Sequence, residues 1–366
     1  MQRSSTSDAI VATSLAASGN TASAEATDSD RFHVQEPNVV HDDEFWYPDG
    51  SIVLIAERRA FRVYRGILVQ ESVVFRDLLS SGLPQPEGTP EIDRCPLLQL
   101  EDSAEDLRHF LRFLLCRRHF VPLEDPIPFS AVAAIIRLGH KYQVDIAEKE
   151  GLRLLQTIFV TEFHDKPSIV DGHIDCDWAE MIPGPRPQST SKPTIQYKQR
   201  DAITAAKLAR LTDVLEILPT AFYVCCQLDI GTLLQGNGTD SLGQSDLITC
   251  LNGRDALSCA NAEATCRIFE PPPRSKWFHA CNRREACRAA RDSIFSDDDL
   301  IGSLLLRRNI LMGWQDIIES NGFCDVCDSH LSERASEEVQ RAWDHLPSYF
   351  SLDISPWNLE ASSETE

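Results

Sequence analysis

The sequence predicts an α+β chain: a small sheet with flanking helices in its N-terminal part, followed by a mainly α-helical C-terminal part. Three observations lead there. Residues 52–55, Ile-Val-Leu-Ile, form a short apolar run between Asp49-Gly50 and the charged turn 57–59, the pattern of a strand buried on both faces. Phe61 and Val63 alternate with Arg62, which predicts a second strand with one wet face. From residue 201 the period becomes helical, with Ile203, Ala206, Leu208, Leu211, Val214, Leu215 and Leu218 on one stripe.

The other elements follow in order. Leu68, Val74, Phe75, Leu78 and Leu79 fall on one side of a single helix, which ends at Ser80-Ser81-Gly82, where glycine takes the left-handed cap. A Pro- and Gly-rich loop covers 83–90, and residues 95–100 read as a third strand. Asp102 or Ser103 stands where a helix N-cap belongs, ahead of Leu107, Phe110, Leu111 and Leu114 at helical spacing. Val132, Ile135, Leu138 and Tyr142 mark another amphipathic helix, and residues 146–159 one more. In the C-terminal part, the 201–218 stripe breaks at Pro219 and resumes over 221–228. A loop at 236–243 and the run Pro271-Pro272-Pro273 divide what remains, with helices expected over 304–314 and 337–343.

Composition places the boundaries. Residues 1–40 are rich in Ser, Thr, Ala and Asp and are expected to be disordered, although Phe32, Val34, Val39 and Val40 could supply a short strand. A sheet-containing domain over 41–160 follows, then a linker over 161–200 carrying Pro167, Pro183, Pro185, Pro187 and Pro193. A helical domain over 201–358 and a disordered tail over 359–366 complete the reading.

In order and spacing, Asp49-Gly50-Ser51 with the 52–55 run, Phe61-Arg62-Val63-Tyr64-Arg65-Gly66-Ile67-Leu68 and Ser72-Val73-Val74-Phe75 resemble the opening of a BTB/POZ domain. Leu138-Gly139-His140-Lys141-Tyr142-Gln143-Val144 is similar to that family's late helix, which carries a lysine-tyrosine pair. The resemblance spans about residues 41–160. It implies a protein-binding module without catalysis, built on Asp49, Gly50, Phe61, Val63, Leu68, Ser72 and Phe75, with protein partners that include a second copy of the chain as a homodimer. Tyr64 stands where the family usually has histidine, so contacts of that histidine are not carried over. Cullin-recruiting adaptors of the family add a hydrophobic, any, glutamate motif; the nearest glutamate here is Glu124, after Val121-Pro122-Leu123. Together with Leu218-Pro219-Thr220-Ala221-Phe222-Tyr223-Val224-Cys225-Cys226 and Trp343-Asp344-His345-Leu346-Pro347, the architecture resembles BTB domain-containing proteins abundant in mushroom-forming fungi.

Charge and composition narrow the functional classes. The chain of 366 residues has a formal net charge of -21, which disfavours broad adhesion to nucleic-acid phosphates. No apolar stretch approaches the ~20 residues of a membrane span, and no secretory or mitochondrial leader pattern opens the sequence. The expected location is cytoplasm, nucleus or both, where the sequon Asn237-Gly238-Thr239 would carry no glycan. A phosphate loop, a Gly-x-Ser-x-Gly elbow and a His-Glu-x-x-His helix are all missing, which weighs against an enzyme.

Twelve cysteines in such a chain are expected to be free or metal-bound. Cys116, Cys225 and Cys226 lie in apolar helical stretches and read as small core hydrophobes. Cys281 and Cys287, with five residues between them, and Cys324 and Cys327, with two, are read as a structural zinc tetrad, with His279 and His330 as alternative ligands. The other reading, reduced cysteines in a helical core, stays open. Cys287, beside Arg283, Arg284 and Arg288, is the cysteine nearest to a reactive setting. Arg291 extends the same basic helix, which reads as a solvated face. The alternative functions are an adaptor for a cullin-type ubiquitin ligase and a zinc-braced regulator of transcription, the latter opposed by the acidic run Asp297, Asp298 and Asp299 between the two cysteine pairs.

Overall fold

The computed structural model describes residues 39–80, 91–92, 95–116, 126–160, 195–270, 280–297, 301–302, 304, 306–355 and 357. Expectations for residues 1–38, Gly82, Glu124, 161–194, His279, the 271–273 proline run, Asp298, Asp299 and the 359–366 tail lie outside these residues. The chain is α+β, and its contacts divide it into two units. One holds the described residues of Met1–Phe120 with Leu138–Glu148; the other holds those of Val121–Arg137 and Lys149–Glu366. The division therefore differs from the expected boundary at 160, because most of two helices groups with the C-terminal part.

In the first unit, β1 (Val40–Trp46), β2 (Ile52–Ala56), β3 (Arg59–Val63), β4 (Glu91–Ile92) and β5 (Cys95–Leu100) form one sheet in the order β1-β3-β2-β5-β4. The predicted run is its central strand: all five residues of β2 are buried, between antiparallel β3 and parallel β5. Strand β3 has the expected wet residue, Arg62, between buried Phe61 and Val63. On one face, Val53, Ile55, Ala60 and Cys95 make a core against Val39, Trp46 and Leu97.

Strand β1 begins at Val40 and pairs parallel to β3, although composition placed residue 40 at the end of the polar segment. Its acidic sequence, Val-His-Asp-Asp-Glu-Phe-Trp, hides an edge strand in which Asp42 and Phe45 are buried. The Asp42 carboxylate accepts from Arg108 Nε at 2.9 Å and from the backbone N–H groups of Glu44 and Phe45 at 3.0 Å. Burial pushes its pKa up, but Arg108 and these N–H donors outweigh burial and hold it below the usual carboxylate range.

The single helix expected over Leu68 to Leu79 is two helices, α1 (Arg65–Glu71) and α2 (Val73–Ser80). Ser72 divides them. Its backbone is extended (φ -127°, ψ 125°), and its buried hydroxyl accepts from Phe75 N–H at 3.0 Å while donating to the Tyr142 carbonyl at 2.6 Å. A serine that caps one helix and binds a residue 70 positions away interrupts an apolar stripe that periodicity reads as continuous. Ser103 is the N-cap of α3 (Ala104–Leu115), accepting from Asp106 N–H at 3.0 Å. Asp102 instead accepts from Lys141 at 2.6 Å and from the Tyr142 hydroxyl. Burial and the Asp102 carboxylate push the Tyr142 phenol far up, so it stays a donor.

In the second unit, β6 (Ile127–Pro128) pairs parallel with β7 (Ile195–Gln196), two residues that composition assigned to the linker. Helices α4 (Phe129–Lys141) and α5 (Asp145–Gln156) each belong partly to both units. Then come α6 (Asp201–Thr212), a 3-10 turn at Leu215–Ile217, α7 (Leu218–Gln227), α8 (Ile230–Gln235) and α9 (Gln244–Phe269). The chain continues with α10 (Arg284–Ser296), a 3-10 turn at Ile310–Met312, α11 (Gln315–Ser320), α12 (Asp325–Asp344) and α13 (Leu346–Tyr349).

Three helical expectations change here. Pro219 opens α7, because a proline in the first turn removes only an N–H that has no intrahelical partner; the break before it falls at Asp213, left-handed at φ 59°. Residues 304–314 do not form one helix: the 3-10 turn and Gly313, at φ 73°, intervene. Residues 337–343 are the end of the 20-residue α12. The 26-residue α9 has no strong apolar stripe, because its inward positions mix small or polar residues, Cys250, Gly253, Arg254, Asn261, Ala264 and Thr265, with Leu257, Ile268 and Phe269. Gly253 is required there, since an added Cβ would stand 2.4 Å from the Phe350 ring. The fully buried Trp314, Trp343, Tyr223 and Phe222 come from other elements, and Trp314 Nε1 donates to Thr265 Oγ1 of α9 at 2.9 Å.

Candidate metal centre

Two helix starts build the centre. Cys281 lies just ahead of α10 and Cys287 in its first turns, while Cys324 is the N-cap of α12 and Cys327 its third residue. The two-residue gap between Cys324 and Cys327 closes within one helical turn, so both side chains reach the same point. The wider gap between Cys281 and Cys287 is spanned by the approach to α10, whose N-cap Arg283 leaves the helix with φ -131° and ψ 49°.

The four residues are only 5–7% exposed, with Phe323 and Val326 packed against them. Their four sulfurs lie within 4.8 Å of one another. Cys281 Sγ and Cys324 Sγ are 3.7 Å apart. A disulfide requires about 2.05 Å, so this pair is not bonded. A tetrahedron with metal–sulfur bonds of ~2.3 Å has edges of ~3.8 Å, and the observed separation matches that edge. Cys324 N–H also points at Cys287 Sγ at 3.4 Å, an outer contact that orients a ligand sulfur. The buried four-cysteine cluster could therefore hold a metal ion.

The sulfurs are electrically coupled. Burial pushes the Cys324 thiol up, but the Cys327 N–H and the neighbouring thiols donate to its sulfur and bring its pKa down to about 6. Burial pushes Cys287 up, and Cys327, buried and donating, rises furthest. A divalent cation binding the four sulfurs would displace the thiol protons. His330 is not one of the four: its ring is 37% exposed and lies 3.6 Å from Glu333.

The other cysteines divide by burial. Cys225, Cys226 and Cys250 are buried in the helical core, with Cys226 Sγ donating to the Cys250 carbonyl at 3.3 Å. Hydrogen bonds to Cys250 raise the first two thiols, and the same bonds bring Cys250 down to about 5. Cys116, expected in a helical core face, is instead the half-buried C-cap of α3. The sequon side chain is engaged, Asn237 Nδ2 donating to Asp201 at 2.9 Å and to Thr204 at 3.2 Å.

The residues implied by the family resemblance are mostly interior. Phe61, Val63, Leu68, Ser72 and Phe75 are fully buried, and Phe75 stacks on Tyr142 with centroids 4.4 Å apart. Gly50 accepts from Arg62 Nε at 3.2 Å and from Cys95 Sγ at 3.1 Å, and a Cβ there would meet Arg62 at 2.8 Å. Asp49 is exposed and accepts from the Tyr64 hydroxyl at 2.8 Å. These side chains build the frame of the unit, and a partner would touch other ones. Among the described residues no helix is long and apolar enough to cross a membrane. No protein-family model, curated protein or solved structure matches the chain.

Proposed function

We propose that the chain is a non-catalytic interaction protein, in which a BTB-like N-terminal unit binds protein partners, a second copy among them, and the helical unit is braced by structural zinc. The observation that carries the zinc half is the buried four-sulfur cluster with its 3.7 Å Cys281–Cys324 edge. Four thiolates suit zinc, and with all four positions filled by protein no coordination site remains for a substrate, so the ion's work is folding support.

The interaction half is supported by the motif order: a strand hairpin, two short helices, a strand parallel to the first of the hairpin, and a late helix whose Lys141 and Tyr142 both bind Asp102. Because the motif residues are interior, contact would fall to exposed apolar side chains of this unit such as Val40 (59% exposed) and Val73 (44%). We expect two differently tagged copies of the full chain to co-purify, and Val40→Arg with Val73→Arg to abolish this without changing the melting temperature. Copies that never co-purify, together with partner capture unchanged by the double substitution, would refute the interaction reading. Metal analysis of the purified chain tests the other half, with one zinc per chain expected.

A further inference from the structure

We infer that Arg284, Arg288 and Arg291 belong to the cysteine centre as a collar that neutralises its charge, and are not a surface for nucleic acid; this rests on the proposed zinc. Arg284, Arg288 and Arg291 line the same concavity as Cys281, Cys287 and Cys327, with Phe323 and Leu331 also on its wall. Their placement follows from helical geometry. Positions 284, 287, 288 and 291 are spaced i, i+3, i+4 and i+7 on α10, so one stripe carries both a ligand sulfur and the three arginines. The sequence alone assigns this stripe to solvent, since Cys324 and Cys327 are more than 30 residues further along the chain.

Charge accounting explains the arrangement. A zinc ion with four thiolates carries two net negative charges. Three guanidinium groups, together with the Glu270 carboxylate on the same concavity, supply two net positive ones. The formal charges of centre and rim then balance, and Arg291, only 14% exposed, is the arginine least screened by water. Asp292, 63% exposed, lies 3.7 Å from Arg288 and 3.9 Å from Arg291, and exposed pairs of this kind contribute little. Arg291 itself is only 14% exposed and so poorly placed for a polyanion. Arginines engaged in this way position and stabilise the ligands, as outer-sphere partners of metal sites do.

The test uses the full-length chain, loaded with cobalt to read coordination by thiolate charge-transfer absorption and with zinc to read affinity against a competing chelator. Replacing all three arginines by Gln should leave the cobalt spectrum intact and weaken zinc binding about tenfold or more. Arg291→Lys, which keeps the charge, should retain most of the affinity. If the triple variant misfolds, Arg288→Gln, at a position 74% exposed, supplies the same reading with a smaller loss. Unchanged zinc affinity with an intact cobalt spectrum would overturn the collar while leaving the metal. A triple variant that keeps its zinc affinity but loses binding to duplex DNA would overturn it in favour of nucleic-acid contact. Absence of both cobalt–thiolate absorption and bound zinc in the unaltered chain would instead refute the zinc reading on which the collar rests.

Discussion

The two units solve the same problem, burying an acidic chain, by different means. In the sheet unit, acidic side chains on the edge strand pair with arginines: Asp42 with Arg108 and Arg59, and Glu44 with Arg112. The apolar interior is then supplied by a central strand with every residue buried. In the helical unit the long α9 mixes small and polar inward groups with Leu257, Ile268 and Phe269, and aromatic side chains of other elements, Trp314 and Trp343 among them, complete the core. Helix α10 has less to bury. It has just two buried residues, Cys287 and Ile294. A segment with so little apolar burial needs another source of stability, and four converging sulfurs provide a place for one.

This contrast would break first at the cysteines. Replacing Cys324 and Cys327 by Ser, or stripping metal with a chelator, should destabilise the helical unit by about 4 kcal/mol at free zinc a thousandfold above Kd. Hydrogen exchange should then lose protection over α10 and the start of α12 while β2 and β5 keep theirs; equal loss in both units would end the comparison. Next in size, Asp42→Ala leaves Arg108 without its carboxylate and should cost about 3 kcal/mol by denaturant titration. The same group gives a pH signature. Its folded pKa is depressed, so its contribution is full above about pH 4, the unfolded value, and is lost as pH falls towards the folded value. An Asp42→Ala chain should therefore show a flatter acid-unfolding profile below that pH.

A packing change sharpens the contrast from the helical side. Gly253→Ala forces a Cβ into the Phe350 ring and should cost about 2 kcal/mol, with the loss recovered in part by Phe350→Leu in a double-mutant cycle. The smallest effect is expected at a helix start. Ser103→Ala removes the N-cap of α3 and should lower stability by about 1 kcal/mol, whereas Ser103→Asp should keep it.

Much of the sheet unit could be read from residues alone, because its signals are local. The apolar run of β2, the alternation of β3, the limits of β5 and the cap at Ser103 each arise from a few neighbouring side chains. Val39 and Val40 hinted at a short strand, but the extent of β1 to Trp46 escaped because its burial depends on Arg108, 66 positions from Asp42, and no local pattern announces a buried aspartate. The break at Ser72 escaped for the same reason: its partner is the carbonyl of Tyr142.

At the candidate centre, the sequence by itself determined the four cysteines, their spacing and the chemistry that thiols bring. Tertiary structure alone decided that their sulfurs meet within 4.8 Å, that His330 stays outside, and that the arginines of α10 face the same concavity. The physical reason is range. Propensity, capping and periodicity act over a few residues, whereas a metal cage and its compensating charges depend on how two helix starts, 37 residues apart at Cys287 and Cys324, are brought together by packing.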